Sequence, residues 1–203
     1  MAKVGAALHI ETSLYREMVN VEAAFKNIHQ DLIDGCKSGD QKAQFQIYKL
    51  YYKAMYNTSL RIVNDTMEAE DIMQESFLSA FEKIETYSGM VSFGAWLKKI
   101  VINRSLDALN KKKAIFEDIE SHIGLRDESS DDNAYERDVE LKVEEVKNAI
   151  EKLPDGYRVI LSLYLLEGYD HDEISEILSI SSSTSRSQLS RAKQKLIGEL
   201  KGR

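Results

Sequence analysis

The sequence predicts an all-α protein made of two small helical domains joined by a flexible acidic linker. The 203 residues include one proline and ten glycines, so residues that break helices are scarce. Apolar residues recur at spacings of three and four over most of the chain, which is the period of amphipathic helices. Between the two periodic parts lies a stretch in which acidic residues far outnumber basic ones. We therefore expect two helical domains rather than one.

These patterns divide the chain into four segments. Residues 1–30 are an N-terminal extension with no clear partner, and Met18 is an alternative start. Residues 31–113 form the first helical domain, residues 114–140 the linker and residues 141–203 the second domain. Each helical segment is within the size range of a small domain.

The first domain contains clear signals for helix boundaries. Asp40 is an N-cap candidate for a helix from Gln41 to about Asn64, and Asp65 or Thr66 can cap the next helix. Two further elements follow, a loop over residues 87–92 that contains Gly89 and a helix over residues 93–111.

The linker accounts for the acidity of the protein. Residues 114–140 hold ten acidic and two basic residues, a net charge of −8, so the rest of the chain carries +1 of the total of −7. A stretch of such composition buries too little apolar surface to fold alone. The negative total therefore does not exclude nucleic acid as a partner of either domain.

The second domain reads as a series of short helices. An amphipathic helix over residues 141–153 ends before Pro154, and a second helix from Asp155 to about Leu166 is ended by Gly168. Asp170 caps a short helix that ends at Leu178, and Ser181 or Ser182 opens the last helix.

The last two helices have the pattern of a helix-turn-helix. A helix over 172–178, a tight turn over 179–181 and a helix with one apolar face follow each other directly. Hydroxyl groups at the start of the last helix suit phosphates, and Arg and Gln on its polar face suit base edges. The residues that we expect to contact duplex DNA are Ser183, Thr184, Arg186, Ser187, Gln188, Arg191 and Lys195.

The end of the first domain also suits nucleic acid. Its final helix carries the basic residues Lys98, Lys99 and Arg104 and a run of lysines at 111–113. Three aromatic residues, Tyr87, Phe93 and Trp96, lie just before or at the start of this helix. Basic and aromatic side chains together bind single-stranded nucleic acid, the former by contacting phosphates and the latter by stacking on nucleobases. We expect Phe93 and Trp96 in the core, whereas Tyr87, in the loop, is less clearly a core residue.

Several classes of function find no support in the sequence. Cys36 is the single cysteine and is expected to be a partly buried apolar residue, and the four histidines are scattered without metal-ligand spacing. There is no phosphate-binding loop and no nucleophile motif. We expect no enzyme activity, no cofactor, no metal and no membrane contact, and a cytoplasmic location by default.

Two sets of motifs resemble those of bacterial sigma-70 factors of the extracytoplasmic-function (ECF) type. Asp71-Ile-Met-Gln-Glu-Ser-Phe77 and Phe93-Gly-Ala-Trp-Leu-Lys-Lys-Ile-Val-Ile-Asn103 resemble sigma domain 2. Leu153-Pro-Asp-Gly-Tyr-Arg158, Glu167-Gly-Tyr-Asp-His-Asp-Glu-Ile174 and Ser183-Thr-Ser-Arg-Ser-Gln-Leu-Ser-Arg-Ala-Lys193 resemble sigma domain 4. The resemblance covers roughly residues 31–200 and leaves the linker as the variable part.

The resemblance implies an alternative sigma factor that directs core RNA polymerase to specific promoters. Asp71, Gln74 and Glu75 share one helix face, and in the family this face binds the polymerase β′ subunit. The implied partners are core polymerase through β′ and β, promoter DNA and an anti-sigma factor. If the resemblance to the family is set aside, the same residues are interpreted as an ordinary solvent-exposed acidic face.

The resemblance also implies two DNA sites. The loop 87–92 would capture a flipped base of the −10 element, and the following helix would hold that element. The residues implied for this site are Tyr87, Ser88, Lys98, Lys99, Asn103 and Arg104. The last helix would read the −35 element, and the linker would pass through the core enzyme toward the RNA path.

Three positions differ from the family pattern. Gly94 stands where a basic or bulky residue often follows phenylalanine, serines occupy 181–183 where glycine is frequent, and Gln188 replaces a common basic residue. The alternative function is a helix-turn-helix regulator that is not a polymerase subunit. That alternative explains the C-terminal motif equally well and leaves the Asp71 to Asn103 motifs without a role.

Overall fold

A computed structural model of the protein describes residues 28–117 and 143–201. Within these residues the regular elements are helices and none is a strand, which confirms the all-α prediction. The chain forms two compact units, one from Met1–Tyr56 with Met73–Val101 and one from Asn57–Ile72 with Ile102–Arg203. Because the units interleave along the chain, the linear domain boundaries at 31–113 and 141–203 stay a prediction.

Eight α-helices lie in the described part of the chain. They are α1 (Gln30–Lys37), α2 (Gln41–Val63), α3 (Thr66–Glu82), α4 (Phe93–Glu117), α5 (Val143–Glu151), α6 (Asp155–Leu161), α7 (His171–Leu178) and α8 (Ser182–Lys201). A short 3₁₀ turn, Ile84–Thr86, follows α3, and a π-helical turn, Ser162–Leu166, continues α6.

Helix α4 is longer than the helix predicted over residues 93–111. Helix α4 continues to Glu117, so the first four residues of the predicted linker 114–140 are helical. The reason is local, since Ala114 to Glu117 contains no helix breaker and extends an established helix. The rest of the predicted linker and residues 1–27 lie outside the described residues.

The predicted caps account for the helix starts. The Asp40 carboxylate accepts a hydrogen bond from the backbone N–H of Lys42 at 2.8 Å, and Asp65 accepts from the N–H of Glu68 at 3.0 Å. Asp170 and Glu173 form a complete capping box at the start of α7. The structure thus selects Asp65 over Thr66 as the cap of α3.

The core of the first unit is built around α4. Phe93, Leu97 and Val101 occupy successive turns of this helix and are buried. Cys36 is also buried in this cluster, as predicted, and burial together with the nearby Asp40 raises the pKa of its thiol. The core position predicted for Phe93 is confirmed, while Trp96 is half-buried at the edge of the cluster.

The departure from the family at Gly94 has a packing reason. A Cβ atom at this position would lie 3.0 Å from Cε1 of Tyr51, closer than side chains normally approach. The Tyr51 ring also packs against Phe93, with ring centroids 5.6 Å apart. The Tyr51 ring therefore occupies the space that a larger residue at position 94 would need.

In the second unit, α8 forms the centre of the C-terminal helices. It packs against α5, α6 and α7, and buries Leu189, Ala192 and Leu196 on one face. The periodicity of the sequence predicts an apolar face of Leu189, Ala192, Leu196 and Leu200, of which Leu200 is half-buried. Ile174 of α7 is fully buried as well, and α7, the turn over residues 179–181 and α8 form the predicted helix-turn-helix.

Among residues 28–117 and 143–201, two residues other than glycine adopt left-handed backbone conformations. Asn64, directly after α2, has φ of 55°, and Ser179, directly after α7, has φ of 54°. This conformation ends helices and is strained for residues with a Cβ. No helix in the described part of the chain is long and apolar enough to cross a membrane.

Candidate polymerase and nucleic-acid interfaces

One exposed face of α3 presents the residues that were predicted to bind polymerase. Asp71, Gln74 and Glu75 are all exposed, while Ile72 and Met73 point into the protein. The face ends in Leu78, whose side chain is 64% exposed. Sequence reasoning missed Leu78 because its spacing fits either a core or a surface position.

The loop that follows α3 is organised around Tyr87. The ring of Tyr87 is 5% exposed and lies against Phe93 and Trp96, with centroids 5.5 and 5.4 Å apart. Its hydroxyl donates a hydrogen bond to the carbonyl of Val91 at 2.7 Å. The ring is therefore a core group, which settles a position that the sequence left open, and little of the ring surface is exposed.

The exposed part of the loop lies beyond Tyr87. Ser88 is exposed, and so are two apolar side chains, Met90 at 80% and Val91 at 50%. Gly89 has φ of 80° and allows the chain to turn between them. Sequence reasoning assigned no role to Met90 and Val91, because apolar loop residues carry no periodic signal.

Only some of the polar and basic side chains on the outer face of α4 are exposed to solvent. Lys99 and Asn103 are exposed, and Lys98 and Arg104 are half-buried. Lys112 forms an ion pair with Glu68 and lies 3.8 Å from the Asp65 carboxylate. Its hydrogen bond to Glu68 raises the pKa of the Lys112 ammonium. Lys112 therefore anchors α4 to the start of α3 and is engaged within the protein.

The start of α8 carries a network of hydroxyl groups. Ser181 caps the helix by accepting from the backbone N–H of Thr184 at 3.0 Å, and its hydroxyl lies 2.8 Å from those of Ser183 and Thr184. Ser182 donates to the Asp172 carboxylate at 2.5 Å, which ties α8 to α7. The serine run thus shapes the turn by side-chain hydrogen bonding.

The outer face of α8 is accessible along most of its length. Of the seven residues that we expected to contact duplex DNA, Gln188 is half-buried and the other six are exposed. The hydroxyl of Ser187 donates to the backbone carbonyl of Thr184 at 3.0 Å, so it also has an internal partner. Lys193 lies over the Tyr164 ring at 5.4 Å and is partly engaged within the protein.

His171 has a structural environment. Its Nδ1 lies 2.9 Å from the hydroxyl of buried Ser185, and its ring stacks on Tyr164 with centroids 5.0 Å apart. These contacts join the start of α7 to α8 and to the π-helical turn. The described residues contain no group of histidine, cysteine and acidic side chains that could hold a metal ion.

Comparison with known proteins assigns both parts of the chain. Residues 47–115 match the family described as Sigma-70 region 2, and residues 143–196 match Sigma-70, region 4. The chain is 30% identical over 173 residues to the ECF RNA polymerase sigma factor SigW of Bacillus subtilis, covering 81% of this chain and 92% of SigW. This chain belongs to the ECF sigma factors of the sigma-70 family.

Further similarities agree with the family. The chain is 31% identical over 151 residues to SigM of the same organism, covering 74% of this chain and 91% of SigM. A solved structure of the sigma factor RpoE in complex with the anti-sigma factor NepR, from Bartonella quintana, matches the fold with a TM-score of 0.54 at 21% identity, over 77% of this chain and 95% of RpoE.

Proposed function

We propose that this ECF sigma factor directs core RNA polymerase to specific promoters, with the three surfaces described above as its contacts. The observation that carries the proposal is that two sigma-70 regions match in the correct order and that the implied contact residues are mostly exposed. A helix-turn-helix regulator would need only the second region, so the alternative is not favoured. RNA synthesis is the reaction of the polymerase, and this chain supplies no chemistry of its own.

The polymerase contact is the face of α3 that carries Asp71, Gln74 and Glu75. An exposed row of acidic and amide groups can pair with basic groups on the β′ subunit. Leu78, at the end of this row, supplies apolar area that becomes buried on binding. The polar row and the exposed apolar Leu78 lie on the same helix face. This combination favours a protein interface over a surface that contacts only solvent.

The −10 contact comprises the loop 87–92 and the polar face of α4. Ser88, Met90 and Val91 form the exposed loop surface, and Lys99 and Asn103 lie on the following helix. An extruded base needs an apolar contact and hydrogen bonds to offset the lost stacking. Tyr87 acts in this site as a positioning residue that holds the loop through Val91.

The −35 contact is the outer face of α8 in a major groove. Arg186 and Arg191 are exposed and can contact base edges or phosphates. Ser183 and Thr184 lie at the N-terminus of the helix, where backbone N–H groups also favour phosphate. The hydroxyl network presents these groups in a fixed arrangement.

Reconstituted transcription tests the proposed function. Genomic DNA is the template, and transcript start sites are identified by sequencing. Core polymerase alone should give no specific transcript, whereas core polymerase with this chain should give transcripts from a limited set of start sites. Co-elution with core enzyme is the matched binding assay. If the chain neither co-elutes with core nor changes the start sites, the proposal is wrong.

The family suggests further partners and a location. The structural relative RpoE was solved with an anti-sigma factor, so we propose that an anti-sigma factor controls this protein too. A factor that binds core polymerase and DNA acts in the cytoplasm. Neither proposal requires a cofactor.

A further inference from the structure

One hydrogen bond to a buried hydroxyl connects the two helices of the helix-turn-helix. Nδ1 of His171, the first residue of α7, lies 2.9 Å from the hydroxyl oxygen of Ser185, in the first turn of α8. We propose that His171 is a positioning residue for −35 recognition, which sets the orientation of α8 relative to α7. This inference deepens the proposed function and rests on its assignment of α8 to the −35 contact.

Ser185 lies among the residues that face DNA in the proposed function, but its own side chain faces inward. The side chain is fully buried, whereas its neighbours Thr184 and Arg186 are exposed. Successive residues of an α-helix are offset by a fixed angle. A contact that holds the direction of Ser185 therefore also holds the directions in which Thr184 and Arg186 point.

The contact between Ser185 and His171 is directional because it is polar. A buried hydroxyl without a partner is costly, so the imidazole nitrogen stabilises one arrangement of the Ser185 side chain. A hydrogen bond weakens steeply when its angle departs from linearity, whereas an apolar contact tolerates small rotations. The pair thus restricts rotation of α8 about its own axis.

His171 is itself held on two sides. Its ring stacks on Tyr164 of the π-helical turn, with ring centroids 5.0 Å apart and ring planes 27° apart. Its backbone lies inside the capping box that Asp170 and Glu173 form at the start of α7. The imidazole is therefore a fixed partner for the first turn of α8.

Two further contacts attach α8 to the same region of the protein. Asp172, next to His171, accepts a hydrogen bond from the hydroxyl of Ser182, the first residue of α8. Nζ of Lys193 lies 5.4 Å from the centroid of the Tyr164 ring, on which His171 also stacks. Ser182 and Lys193 are roughly 16 Å apart along the helix axis. Contacts at both places restrict the tilt of α8 as well as its rotation.

Amide hydrogen exchange of the free full-length chain, followed by NMR, tests the positioning without DNA. His171→Phe keeps a ring that can stack and removes the hydrogen bond. We expect exchange of the Ser185 and Arg186 amides to become about three- to tenfold faster, while the amides of α6 keep their rates. In a Ser185→Ala background, His171→Phe should change these rates by no more than about twofold, because its partner is already absent.

A conservative variant provides a rescue. The side chain of Asn carries a hydrogen-bonding atom on Cγ, as the imidazole carries Nδ1, so His171→Asn keeps a partner for Ser185 and loses the stacked ring. It should restore most of the exchange protection that His171→Phe loses. In holoenzyme, His171→Phe should weaken binding to −35 DNA about three- to tenfold, and His171→Asn should bind within about twofold of the parent.

Lys193 is tested through the salt dependence of holoenzyme binding. A residue that contacts phosphate lowers the salt slope by about one when it is removed. Because Lys193 faces the Tyr164 ring, Lys193→Met should weaken binding and leave the salt slope unchanged. A slope lowered by about one would instead assign Lys193 to a phosphate and overturn its role in positioning α8.

Matched controls separate loss of this contact from general damage. Ser190→Ala, at an exposed position of α8, and His29→Phe, in the first unit, make the same chemical changes elsewhere and should keep the parent's exchange rates and affinity. Circular dichroism should show the helical signal of the parent for every variant. If His171→Phe loses that signal, His171→Gln, whose polar atoms lie farther from the backbone than Nδ1, replaces it.

Two results would overturn the positioning role of His171. Equal amide exchange in the parent and in His171→Phe would show that the hydrogen bond does not hold α8. Faster exchange with unchanged holoenzyme affinity would show that the orientation of α8 does not limit −35 recognition. Exchange in the free chain tests the contact even if transcription assays contradict the proposed function.

Discussion

The Tyr87 hydroxyl donates a hydrogen bond to the carbonyl of Val91, 2.7 Å away, and so closes the loop that precedes α4. The two residues are four positions apart, and the ring below the hydroxyl is packed against Phe93 and Trp96. The conformation of the exposed loop therefore depends on a buried side chain. In the proposed function, that loop is the part of the protein that meets the −10 element.

Removing only this hydroxyl tests the positioning role. Tyr87→Phe keeps the ring packing and should lower the free energy of unfolding by about 1 kcal/mol, whereas Tyr87→Ala should lower it by about 3–5 kcal/mol. We expect Tyr87→Phe to slow promoter opening, measured by fluorescence of a base analogue in the −10 element, without changing core binding. Asn103→Ala should also slow promoter opening without changing core binding, and it should leave the free energy of unfolding unchanged. Unchanged transcription by these variants from both duplex and pre-melted templates would contradict this role.

The polymerase face of α3 can be tested by charge reversal. Glu75→Arg should weaken binding to core polymerase at least about tenfold, because like charges across an interface are strongly unfavourable. Glu82→Arg, at the end of the same helix, is the matched control and should bind core normally. Binding is measured by fluorescence anisotropy with labelled protein. If the two variants bind core polymerase with equal affinity, this face of α3 does not contact the polymerase.

The outer face of α8 can be tested through the dependence of binding on salt. Arg186→Ala and Arg191→Ala should each weaken holoenzyme binding to −35 DNA, and a lost phosphate contact should lower the salt slope by about one. A lost base contact should instead cost about 1–3 kcal/mol at a single base pair. Lys201→Ala, at the end of the helix, serves as the control. Unchanged footprints and slopes would exclude these arginines.

Ser179 is a candidate for stabilisation. Its φ of 54° is strained for serine and natural for glycine, so Ser179→Gly should raise the free energy of unfolding by about 0.5–1 kcal/mol. Ser181→Ala should instead remove the cap of α8 and lower the free energy of unfolding by about 1 kcal/mol. Urea denaturation measures both changes. A destabilised Ser179→Gly protein would show that the left-handed turn is not strained.

The cap of α3 should make stability depend on acid pH. The backbone N–H of Glu68, helped by Lys112, holds the pKa of the Asp65 carboxyl below its ordinary value of about 3.9. Its stabilising effect is present above that value and is lost as the pH falls through the lowered pKa. Asp65→Asn should thus be less stable than the parent at neutral pH, and the difference should shrink as the pH falls through the lowered pKa of Asp65. A constant difference in urea denaturation would contradict this.

Local features of the fold were predictable from the sequence. The caps Asp40, Asp65 and Asp170 and the apolar face of α8 depend on residues within a few positions of each other. Such patterns are visible in the sequence because helix formation and capping are short-range effects. The end of α4 at Glu117 was missed because the acidic composition that follows it has no sharp boundary.

By itself the sequence determined the helical class and the order of the two sigma regions, and it supplied the candidate residues for polymerase and DNA contacts. Only the tertiary structure decided which of them are accessible: it buries Tyr87, leaves Met90 and Leu78 exposed and engages Lys112 with Glu68. It also brings Glu167 to Arg61, more than a hundred positions away. The physical reason is that burial and ion pairing depend on neighbours in space, whereas helix period and capping depend on neighbours in sequence.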